Sequence, residues 1–71
     1  MTYYEIDGDN NRYPTLRDAK WHCEIAYTPN ERRRYLNGCN ICKIVNEELR
    51  TITPIYVGDN GALSFGRTIK C

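Results

Sequence analysis

The sequence predicts a small α+β domain of order β-α-α-β-β-β, a twisted antiparallel sheet with one long and one short helix on one face. Three observations lead there. Helical periodicity with matched start signals is confined to residues 15–38, strand-like alternation fills the segment after Gly38, and no βαβ alternation occurs that would call for a parallel sheet. The 71 residues form one domain, 1–71. A domain this small buries only roughly 60% of its unfolded surface, so its core is thin.

Residues 2–7 read as a short strand with Tyr4 and Ile6 on one face and Tyr3 and Glu5 on the other. Asp7-Gly8-Asp9-Asn10-Asn11-Arg12 is a loop by its turn chemistry. It spaces oxygen ligands like a calcium loop, but Arg12 stands where the turn needs Gly, and no bidentate Glu closes it. Thr15 caps a first helix with Asp18 three residues on, and Leu16, Ala19, Cys23, Ala26 and Tyr27 form its core-facing stripe. Thr28-Pro29-Asn30-Glu31 is a second start, with a capping box and Pro in the first turn. The segment 29–36 is a kinked continuation of the first helix or a separate two-turn helix, and it ends at Asn37-Gly38.

Strands are predicted over 39–46, 49–57 and 62–70, the second joined to the first near Asn46-Glu47-Glu48 and the third following the turn Gly58-Asp59-Asn60-Gly61. In the last strand Leu63, Phe65, Arg67 and Ile69 share a face expected to be buried. Pro54 lacks a donor, so it belongs at an edge or a bulge.

The N-terminus has neither a basic region nor an apolar run, and no stretch reaches membrane-spanning length, so no signal peptide and no membrane contact are expected. Four cysteines without an export signal read as reduced thiols in the cytoplasm. Cys39-Asn40-Ile41-Cys42 has zinc-ligand spacing, and His22, Cys23 or Cys71 could complete a site. On a strand, however, residues three apart point to opposite faces. Buried thiols are the expectation, with no metal and no cofactor, and a zinc-stabilised module stands as an alternative.

A net charge of +1 argues against a dedicated nucleic-acid binder, whose affinity comes from phosphate neutralisation. The one basic run, Arg32-Arg33-Arg34 with Tyr35, points in several directions around a helix. With Tyr3, Tyr13 and Tyr56 it nevertheless supports a nucleic-acid-binding alternative. Catalysis is not expected. The single His and single Ser, His22 and Ser64, fall on different elements, and His22 and Cys23 diverge around the helix.

Trp21 and Ile25 lie one turn apart, opposite the stripe, where a small monomer has little reason to expose them unless the second helix or the N-terminal loop covers them. The leading expectation is therefore a small cytoplasmic module that binds another protein as adaptor, regulator or inhibitor. An accessory protein of a phage or mobile element is one source in keeping with that role. The expected contact residues are Trp21, Ile25, Arg32, Arg33, Arg34 and Tyr35. Self-association through the same face, or through an edge strand carrying Pro54, is a close variant.

Overall fold

The computed structural model describes residues 1–71. Strand β1 spans Thr2–Ile6 and helix α1 Leu16–Ile25. Helix α2 opens as a single turn over Pro29–Glu31 and widens into π-helical geometry over Arg32–Leu36. Strands β2 (Asn40–Val45), β3 (Glu48–Val57), β4 (Leu63–Phe65) and β5 (Ile69–Lys70) follow. The class is α+β, with all strand pairs antiparallel in one curled sheet.

Both helix starts form as the local chemistry dictates. The Thr15 hydroxyl accepts the Asp18 N–H at 3.1 Å. At α2 the Thr28 hydroxyl accepts the Glu31 N–H at 3.3 Å while the Glu31 carboxylate accepts the Thr28 N–H at 2.9 Å, a complete reciprocal cap. The π turn closes with Asn37 N–H donating to the Arg32 carbonyl at 3.2 Å. Gly38 then takes φ +84°, a left-handed stop that only Gly adopts without strain. On α1, Ala19 and Cys23 are fully buried and Leu16 and Tyr27 pack against the core, but Ala26 is exposed. Ala26, the C-cap residue, thus drops out of the expected stripe, while Tyr27 beyond the helix end keeps its place in it.

Strand β1 pairs with β2, β2 with β3, and the far edge of β3 is shared by β4 and β5. Ile6, Ile41 and Thr53 lie opposite one another across three strands, and with Ile55, Leu36, Ala19 and Cys23 they form the buried interior between the sheet and the two helices. Both helices therefore cover the same, inner face.

The last strand departs from expectation. In place of one strand over 62–70 there are two, and their registers differ by one residue. Ile55 faces Phe65 and Val57 faces Leu63, whereas Ile52 faces Ile69 and Thr51 faces Lys70. Had the first register continued, Ile69 would have met Thr51 on the inner face. The extra residue between Phe65 and Ile69 sends Ile69 outward instead, where it is 57% exposed. Pro54 gives the physical reason. Its carbonyl accepts the Gly66 N–H at 2.9 Å, so its nitrogen, which carries no hydrogen, also points toward this edge and leaves the ladder one donor short where β4 ends. Pro54 thus sits at a bulge, and not on an edge strand: β3 is paired on both sides.

Strands β2 and β3 are joined by Asn46 and Glu47, both at positive φ (50° and 67°), as a type I′ hairpin turn requires. Asn tolerates this conformation; Glu does not. Replacing Glu47 with Gly should therefore raise stability by about 1 kcal/mol, the cost of holding a side chain in the left-handed region. Thermal melting followed by circular dichroism would register this as a rise of roughly 4–8 °C, and an unchanged melt would mean that the turn is not I′ in solution.

Candidate interaction surface

The outer side of α1 carries Trp21 and Ile25, which are 59% and 58% exposed. Neither α2 nor the 7–14 loop covers them. Beside them runs an open depression lined by Leu16, Arg17, Asp18, Lys20, Trp21 and Glu24, two apolar residues among four charges of both signs. Lys20 reaches the other way, its ammonium 5.1 Å from the Phe65 ring centroid, and ties α1 to β4. What this surface offers chemically is a large aromatic anchor and a branched aliphatic one, flanked by charges of both signs.

The three arginines of the basic run have three different destinations. Arg32 turns inward, where Nη2 donates to the Glu24 carbonyl at 2.6 Å and Nη1 to the Gly61 carbonyl at 3.2 Å. It thereby holds α2 to the last turn of α1 and to the loop before β4. Arg33 donates to the Asp59 carbonyl and to the Asn30 side chain. Arg34 alone is free of such bonds, its guanidinium 5.6 Å from the ring centroid of Tyr35, which is 55% exposed. The run is thus two tethers and one free cation. Sequence reasoning could place all three on a helix, but it had no signal for the loop 26–29 residues away that occupies two of them.

The tyrosines do not form one stacking platform either. Tyr3 lies under the Arg12 guanidinium (4.4 Å to the centroid), Tyr56 is on β3, and Tyr13 is engaged with the loop. The Tyr13 hydroxyl donates to the Asp9 carboxylate at 2.6 Å, the same carboxylate accepts from Asn11, and His22 Nε2 lies 3.6 Å from it. Burial alone would raise the pKa of Asp9, but these hydrogen bonds and the nearby His22 outweigh it and hold the carboxyl below its usual value. Burial and the Asp9 charge push the Tyr13 phenol upward. The cluster fastens the 7–14 loop against α1. The other acid of this loop, Asp7, accepts both the backbone and the side-chain N–H of Asn40.

The four cysteines are free and separately placed. Cys23 is in the core, and burial followed by the Asp9 charge pushes its thiol up to about 11. Cys42, raised to about 11 by burial and by Asp7, lies on β2 with its sulfur 3.7 Å from Asp7 Oδ1. The Cys39 thiol donates to the Tyr35 carbonyl at 3.1 Å. Cys71 is exposed. No three His, Cys, Asp or Glu side chains converge as metal ligands would. No helix is long and apolar enough to cross a membrane. Comparison with protein families, curated proteins and solved structures gives no match.

Proposed function

We propose that this chain is a small intracellular binding module that acts on another protein as adaptor, regulator or inhibitor, docking through the outer face of α1, with Arg34 and Tyr35 of α2 contributing. The observation that carries this reading is the exposure of Trp21 and Ile25 one helical turn apart. The two side chains present apolar area that no element of the fold covers, and an aromatic anchor beside an aliphatic one is the composition of a binding hot spot. The mixed charges around them suit a protein partner better than a phosphate backbone. Arg32 and Arg33, expected among the contact residues, contribute instead by fixing α2 and the 58–62 loop in place. The nucleic-acid reading, which drew on the whole arginine run, keeps only Arg34 from it.

A pull-down from host lysate, with and without nuclease, tests the proposal. Wild-type chain should retain its partner after nuclease and at raised salt, and the Trp21→Ala, Ile25→Ala double variant should bind at least roughly thirtyfold more weakly, the loss of a hot spot of about 2 kcal/mol. Equal capture by wild type and variant removes the helix-face proposal. Capture that disappears with nuclease or with moderate salt favours nucleic acid.

A further inference from the structure

We propose that the uncovered face of the sheet is a self-association surface, on which a second copy of this chain stacks face to face. The two helices occupy the inner face, so the residues alternating with Ile6, Ile41, Thr53 and Ile55 point the other way, where only the Arg12 side chain, resting on Tyr3, lies over them. The strand registers set them in contiguous rows. Glu5, Cys42, Ile52 and Ile69 lie side by side across four strands, and Tyr3, Ile44 and Leu49 form the row next to them, Leu49 being brought to this face by the one-residue register shift of β3 opposite Lys43 and Ile44. Leu49 is 43% exposed and Ile69 57%. At the other end Tyr56, 54% exposed, leans on Gly66 beside Pro54 and extends the same apolar surface. A sheet with one apolar face buried and the other apolar but bare is incomplete as a layered structure.

Three features point to a second copy as the occupant. Glu5 is the one charged residue within these rows, Arg12 resting on Tyr3 at their margin is of opposite sign, and the chain carries +1 overall, so two copies meet without strong repulsion. Association along the edges is blocked. Tyr13 pairs with Tyr4 on the open side of β1, and the opposite edge consists of a three-residue and a two-residue strand broken by the bulge. The area is also sufficient. Three strands at about 4.8 Å and five residues at about 3.4 Å, with the two residues of β5 beside them, cover roughly 280 Å² in projection. With side-chain relief this becomes roughly 500 Å² accessible per copy and 1,000 Å² for the pair, the lower bound for specific association. The sheets would pack about 10 Å apart in a micromolar dimer. This seam lies opposite Trp21 and Ile25 and does not depend on the docking role proposed for them.

Sedimentation velocity on the purified chain, from about 5 to 500 μM, should show the mass rising from one chain to two across the micromolar range. Ile69→Lys and Leu49→Lys, at exposed positions that the fold does not need, should each raise the dissociation constant at least tenfold, and Trp21→Ala should leave it unchanged. Alkylation of wild-type Cys42, in the centre of the face, should slow at least threefold over the same concentrations while that of Cys39 stays constant. A monomer throughout, a dimer indifferent to both lysines, a dimer lost in Trp21→Ala, or Cys42 labelling independent of concentration would each overturn the proposal.

Discussion

Replacing Gly61 with Ala should bring the domain close to unfolding under conditions in which the wild type is stable. Gly61 is buried at φ +82°, and an added Cβ would stand 2.4 Å from Pro29 Cβ, 2.6 Å from Pro29 Cα and 2.9 Å from the Pro29 carbonyl oxygen. Two of these are backbone atoms at the capped start of α2, so they cannot swing aside. The left-handed conformation costs an L-residue about 1–2 kcal/mol and the overpacking about 1–3 kcal/mol more. Against a total stability of about 4–10 kcal/mol for a chain this long, that is a large share. The melting temperature should fall by roughly 15–30 °C. Gly38→Ala is the matched control. Its φ of +84° is nearly the same, but no atom lies within 4 Å of the added Cβ, so it should cost the conformational part alone. Equal melts for the two variants would mean that the 58–62 loop is not seated on α2.

How far the fold can be read from the sequence depends on how local its determinants are. Both helix starts were legible, because a cap is settled by residues three apart: Thr15 with Asp18, and Thr28 with Glu31. The 46–48 turn and the inward phase of Ile6 follow from local alternation in the same way. The division of the last strand does not, because its cause is Pro54, on the neighbouring strand. One residue of slip there reverses Ile69 from inner to outer face. The fates of Arg32 and Arg33 were hidden for a similar reason, since their acceptors lie in a loop that only the tertiary fold brings near. Trp21 and Ile25 were visible from helical phase alone, and the fold adds only that nothing covers them. The bare sheet face did leave a trace. From Ile52 to Val57 both phases of β3 are apolar or uncharged, the pattern of a strand buried on both sides, although its fold covers one.

The second large effect is expected at Arg32, and it separates a structural arginine from a recognition arginine. Its guanidinium bridges the Glu24 and Gly61 carbonyls, and its Nε is buried without a partner. Arg32→Ala removes two charge-assisted hydrogen bonds and the stem that fills the junction of α1, α2 and the 58–62 loop. The expected loss is about 2–4 kcal/mol, moderated by relief of the unpaired Nε. Arg32→Lys should rescue little, because a single ammonium cannot span two carbonyls that the planar fork reaches together. Arg34→Ala, which removes an exposed cation resting on Tyr35, should change stability by less than about 0.5 kcal/mol. Urea unfolding of the three variants gives the comparison directly. Combined with Gly61→Ala, Arg32→Ala should cost less than the sum of the two, because once the loop has left α2 the Arg32–Gly61 bond is already broken. Strict additivity would place the two residues in separate structural units, and an Arg34→Ala loss as large as that of Arg32→Ala would contradict the division of the run into tethers and a free cation.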